Sequence, residues 1–151
     1  MSSRGICSVP DCRQRRFDSE EFCLNHHPGR FAVEARYREF ISTEPVLRDL
    51  VLPQISLEDI DFSHKTLIDC DFHAATFSGC TFGETNMTFC LFDHATFNRC
   101  KFHEAKILES VFAGSRLQDI EFSVADIIQC NFNGCELLNS RFMACDLMYS
   151  R

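Results

Sequence analysis

The stretch LIDCDFHAATFSGCTFGETNMTFCLFDHATFNRCKF, residues 67–102, places Cys70, Cys80, Cys90 and Cys100 ten residues apart, with Phe recurring between them. Stepping by five from Leu57 gives Leu57, Phe62, Leu67, Phe72, Phe77, Phe82, Met87, Phe92, Phe97, Phe102, Ile107, Phe112, Leu117, Phe122, Ile127, Phe132, Leu137, Phe142 and Leu147. All nineteen are large and apolar, and eleven are Phe. The whole chain is 45% apolar. At that composition an unbroken run of this length arises by chance roughly once in a million trials, even over five registers.

A second column lies two residues before the first. From Cys70 onward it reads Cys70, Ala75, Cys80, Thr85, Cys90, Ala95, Cys100, Ala105, Ser110, Ser115, Ile120, Ala125, Cys130, Cys135, Ser140 and Cys145, small everywhere except Ile120. A period of five fits neither a helix nor a flat strand. It suits a short extended segment that turns a corner and repeats. Four such sides close a square coil of twenty residues, and successive coils stack in parallel at about 4.8 Å. The large column fills the interior, and the small column points inward where only a small side chain fits.

Sorting the large column at period twenty supports this. One side reads Phe62, Phe82, Phe102, Phe122, Phe142; another reads Phe72, Phe92, Phe112, Phe132; a third reads Leu67, Met87, Ile107, Ile127, Leu147, without Phe. The expected fold is therefore mainly β, a four-sided parallel β-helix of nearly five coils over residues 54–151. Ile55, Ile60 and Lys65 break the small column. Because an unpaired Lys is costly in such an interior, the first coil is expected to be irregular or open at Lys65.

The pattern resembles the pentapeptide-repeat family, whose unit is roughly A-[D/N]-[L/F]-x-x. It is carried by ATF ending at Phe77, ATF ending at Phe97, ADI ending at Ile127 and CDL ending at Leu147. The resemblance covers about residues 55–149 and implies a right-handed coil.

The first residues are of another kind. CSVPDCRQRRFDSEEFCLNHH spaces Cys7-x4-Cys12-x10-Cys23-x2-His26. Two short pairs separated by a loop are how a tetrahedral zinc site is built, and three thiolates with one imidazole are a common structural set. Residues 1–30 are thus expected to form a zinc-binding module resembling small zinc-ribbon-like or treble-clef-like units. His27 competes with His26 as the fourth ligand. A closed four-ligand site leaves no position for water, so the zinc is structural. The charges of Arg13, Arg15 and Arg16 are offset by Asp11, Asp18, Glu20 and Glu21 and read as solvated loop charges.

Residues 31–53 are expected to cap the N-terminal end of the coil. Phe31, Val33, Ala35, Tyr37, Phe40 and Ile41 allow a helix of about eleven residues, and Val46 to Leu52 a second short turn.

No apolar run is long enough to span a bilayer, and MSSRGICSVPDC lacks the apolar centre of a secretory signal. With ten cysteines and no export signal, a reducing, cytoplasmic location is expected. The later cysteines read as small hydrophobes in the coil.

No catalytic set emerges. His64, His73, His94 and His103 fall in outward columns, and a rod with a filled interior offers no deep pocket. The expected function is a non-enzymatic protein-protein interaction or scaffold module. Its candidate partner surface is Ile68, Leu108, Ile128 and Met148, stacked on one outward column with Thr88, flanked by Phe89 and Tyr149. Leu138 and Met143 join Met148 and Tyr149 on the last coil, where no capping helix follows and another protein or a second copy would dock.

Net charge favours this reading over the alternative that the resemblance implies, a DNA mimic acting on DNA gyrase or another topoisomerase. Residues 54–151 carry 7 basic and 14 acidic side chains, a net −7, whereas residues 1–53 balance at 8 and 8. Duplex DNA along a rod of about 24 Å would carry about fourteen charges, twice that density. Direct binding to nucleic acid or membrane is not expected of so acidic a rod.

Overall fold

Every fifth residue from Asp49 to Tyr149 has a positive φ, between 47° and 73°. Each one turns the chain a corner after a short extended segment. The computed structural model describes residues 5–151, and its corners divide the chain into four faces.

The Leu67 face stacks Val46–Arg48, Thr66–Ile68, Asn86–Thr88, Lys106–Leu108 and Asp126–Ile128. The Phe77 face stacks Ser56–Glu58, Thr76–Ser78, Thr96–Asn98, Arg116–Gln118 and Glu136–Leu138. The Phe102 face holds Lys101–His103, Glu121–Ser123 and Arg141–Met143, extended downward by single bridges from Lys101 to Thr81 and from Thr81 to Asp61. On the Phe72 face, single bridges link Val51, Asp71, Leu91, Val111 and Asn131. All these pairings are parallel and offset by twenty residues. The result is a four-sided β-solenoid of about five coils.

Phe rings stack up the interior. From Phe62 through Phe82, Phe102 and Phe122 to Phe142, successive centroids are 4.6, 4.6, 4.6 and 4.7 Å apart. A second stack runs from Phe72 through Phe92 and Phe112 to Phe132 at 5.6, 4.9 and 4.8 Å. Edge-on contacts such as Phe77 to Phe72 at 5.5 Å tie the stacks together. The offset and edge geometries are those aromatic quadrupoles favour.

The small column explains the ten-residue spacing of cysteine. At Lys65, Ala75, Thr85, Ala95, Ser115 and Cys135 the corner is closed by a backbone N–H donating to the carbonyl three residues earlier. Among the described residues, the corners at Cys70, Cys80, Cys90, Cys100 and Cys130 have no such bond. There the thiol lies 3.4–3.7 Å from the carbonyl oxygen two residues back. It also lies 3.4–3.6 Å from that of the inward residue one coil below. From Lys65 to Cys100 corners of the two kinds alternate, and over that stretch the thiol recurs every ten residues. All ten cysteines are unpaired. Burial pushes the Cys130 and Cys135 thiols above their ordinary range, which keeps them protonated as donors.

Two expectations are corrected at the N-terminal end. Val46–Leu52 is not a helical turn: Val46–Arg48 is a strand in register with Thr66–Ile68, so the ladder starts before residue 54. Leu47 and Leu52 are wholly buried and continue the five-residue column. Nor is the first coil open at Lys65. The Lys65 side chain is buried, and its Nζ donates to the carbonyls of Ser42 (3.2 Å) and Glu44 (2.9 Å). These lie at the end of helix α1, Arg30–Thr43, where a cation meets the negative end of the helix dipole. Val33 and Ile41 of α1 join the solenoid core, with Tyr37 packed against it. Among the described residues, no helix is long and apolar enough to cross a membrane.

Candidate metal centre and docking surfaces

Cys7 and Cys12 sit on a hairpin-like loop. The Cys7 N–H donates to Gln14 O (2.9 Å), Ile6 bridges Arg15 in antiparallel fashion, and the Cys12 N–H donates to Val9 O (3.1 Å). Cys23 caps a single 3-10 turn, Leu24–His26. In that geometry side chains three apart eclipse, so Cys23 and His26 point the same way. The four ligand atoms all lie within 4.8 Å of one another. Cys7 Sγ and Cys23 Sγ are each 3.5 Å from His26 Nδ1, and Cys12 Sγ is 3.9 Å from Cys23 Sγ. This Cys3His group can bind a metal ion.

His27 is not part of it. Its Nδ1 accepts from the Gly29 N–H (3.0 Å), and its Nε2 faces Glu20 at 3.6 Å. Burial alone would raise the Cys7 thiol. Hydrogen bonds from the backbone of Cys23 and Val9 and from the side chains of His26 and Cys23 overcome this and hold it at about 6. Burial pushes the Cys23 thiol up.

The eight partner-surface candidates fall into two groups. Ile68, Thr88, Leu108 and Ile128 are in register on consecutive strands of the Leu67 face. Phe89 stands exposed at the adjoining corner, and Met148 and Tyr149, the latter 76% exposed, occupy the matching positions on the last coil. Leu138 lies on the Phe77 face and Met143 on the Phe102 face, so they belong to the rim of the last coil and not to the stripe. Both are exposed.

The rim encloses a surface that the periodic reading missed. The inward residues of the last coil are themselves uncovered. Leu137 and Leu147 are 51% and 46% exposed, whereas Leu117 and Ile127 one coil earlier are wholly buried. With Phe132, Phe142, Ser150 and Arg151 they line an apolar hollow of about 250 Å³. At period twenty Phe132, Leu137, Phe142 and Leu147 are the inward set of the last described coil.

The repeat has relatives. Residues 70–107 match the family described as pentapeptide repeats, in eight copies. That stretch of the coil is built of pentapeptide repeats. Among solved structures, the chain resembles the pentapeptide-repeat protein Rfr23 from the cyanobacterium Cyanothece 51142. The TM-score is 0.58 at 10% identity, over 80% of this chain and 95% of that one. It also matches QnrB1, a plasmid-mediated fluoroquinolone resistance protein, at a TM-score of 0.44 and 14% identity, over 73% of this chain and 66% of that one. HetL of Nostoc sp. strain PCC 7120, involved in heterocyst differentiation regulation, matches at 0.37 and 15% identity, over 66% and 44%. Among curated protein sequences, none matches this chain. At these identities the likeness concerns the pentapeptide-repeat fold.

Proposed function

We propose that this pentapeptide-repeat protein is a non-enzymatic scaffold module that docks end-on through its last coil, with a second copy as the occupant. The observation that carries this reading is the exposure of Leu137 and Leu147, inward positions that every other coil buries. A two-fold axis through the hollow sets the same apolar floor against itself, the self-complementary contact of a symmetric dimer. The stripe of Ile68, Leu108, Ile128 and Met148, with Phe89 and Tyr149, continues from that end along one face and gives a further protein room to bind. The test is capture from the native host on wild-type protein and on Leu137→Asp/Leu147→Asp. The double variant should lose the copy-to-copy contact, and any protein held by the assembled end should be lost with it. Equal capture of the native chain by both proteins would contradict the reading.

The Cys3His group holds a structural zinc ion in this account. A tetrahedral zinc with Zn–S of about 2.3 Å and Zn–N of about 2.0–2.1 Å has S···S edges of about 3.8 Å and S···N edges of about 3.5 Å. The observed 3.9 Å and 3.5 Å separations fit that tetrahedron. Cys7, Cys12, Cys23 and His26 would fill all four positions and leave none for a substrate. Unpaired thiols throughout the chain suit a reducing compartment, the cytoplasm.

A further inference from the structure

We propose that the metal centre controls whether the N-terminal end of the solenoid is capped. This rests on the metal reading above and adds a consequence for the coil. The side chains that bind the module to the coil lie in the ten-residue loop between Cys12 and Cys23. Gln14 accepts from Gln54 Nε2 (2.8 Å). Arg15 Nη1 donates to both oxygens of Asp71, at 3.0 and 2.8 Å, and its Nη2 stands 3.6 Å from Asp93. Phe17 is wholly buried in the same core as Leu52 and Phe62. The Asp18 N–H donates to Val51 O, and the Asp18 carboxylate accepts from Tyr37 of α1. One loop thus grips the segment of the first coil from Val51 to Gln54, the helix and the second coil.

Within the module the loop is shaped by backbone bonds, among them Phe17 N–H to Phe22 O (2.9 Å), Ser8 N–H to Glu21 O (3.1 Å) and Arg16 N–H to Gly5 O (2.9 Å), but by little apolar packing. Phe17 in the loop and Leu24 just beyond it are the large apolar side chains wholly buried there, and a unit of this size ordinarily needs a metal or disulfide to fold. An ion that joins Cys7 and Cys12 to Cys23 and His26 closes the loop at both ends and removes most of its freedom before it docks. Without the ion, the loop must order itself at the moment of docking. Asp71, wholly buried, then loses its forked cation, and the Phe17 slot over the first coil opens.

Metal occupancy is thereby converted into exposure of the first coil's edge at Val51–Gln54, a template for pairing with another chain. The end opposite the proposed dimer contact becomes available only when the metal is lost.

Hydrogen exchange read by mass spectrometry on the full chain tests this, with zinc bound, after chelation, and in two variants. Chelation should speed exchange about tenfold or more in segments 46–54 and 71–73, with residues 90–130 unchanged. Cys12→Ser should show the same pattern without chelator. Arg15→Gln should keep one zinc per chain and still loosen segment 71–73. Zinc bound, with exchange in 46–54 unchanged by its removal, would overturn the capping proposal and leave the metal reading standing. Failure of the wild-type chain to bind zinc would overturn both.

Discussion

The Cys100 thiol sits 3.5 Å from the carbonyl oxygen of Phe77, one coil below, and 3.5 Å from that of Asn98 in its own corner. It closes a corner that the backbone leaves open. Size and hydrogen-bonding capacity therefore both matter at this slot. Cys100→Ser preserves a donor and should change stability by less than about 1 kcal/mol. Cys100→Leu overfills a wholly buried position and should cost about 1–3 kcal/mol. Denaturant midpoints of the two variants check the contrast; equal losses would show that the donor is irrelevant.

The Phe stacks carry the core. Phe102 lies between Phe82 and Phe122, each 4.6 Å away, and is wholly buried. Phe102→Ala should destabilise the fold by about 3–5 kcal/mol, read by chemical denaturation.

Val124 is a β-branched residue at φ 54°, more than half exposed. The left-handed conformation costs an L-residue about 1–2 kcal/mol, and an exposed side chain contributes little packing in return. Val124→Asn should raise the melting temperature, by the equivalent of about 0.5–1 kcal/mol, since Asn adopts this conformation more readily. A fall in melting temperature would mean that Val124 makes a contact worth more than its strain.

Lys65→Met should cost about 1.5–3 kcal/mol, because two charge-assisted bonds to the end of α1 are lost. The loss should appear in thermal unfolding and be accompanied by faster exchange at the last turn of α1.

The solenoid was readable because its core repeats with the chain: one large inward residue per five, and one cysteine per ten from Cys70 to Cys100, need only local counting. What joins the module to the coil was not readable in that way. Arg15 and Asp71 are 56 residues apart, and nothing in either segment's composition names the other. Lys65 misleads for the same reason, since its partners, the Ser42 and Glu44 carbonyls, belong to the backbone of another element. In α1 the apolar stripe on the core is Val33 and Ile41, both buried, with half-buried Tyr37 between them, a step of four, while the more conspicuous Phe31 stays 83% exposed. The Cys3His group was legible as two spaced pairs. The choice between His26 and His27 needed the 3-10 turn that aligns His26 with Cys23.

The central claim is that the last coil docks against a second copy of itself. Light scattering on the purified chain across the micromolar range tests it most directly. The account predicts a mass of twice the 17.4 kDa chain for wild type and a single-chain mass for Leu137→Asp/Leu147→Asp. A wild-type protein that stays at 17.4 kDa throughout, or a double variant that pairs as wild type does, would contradict it.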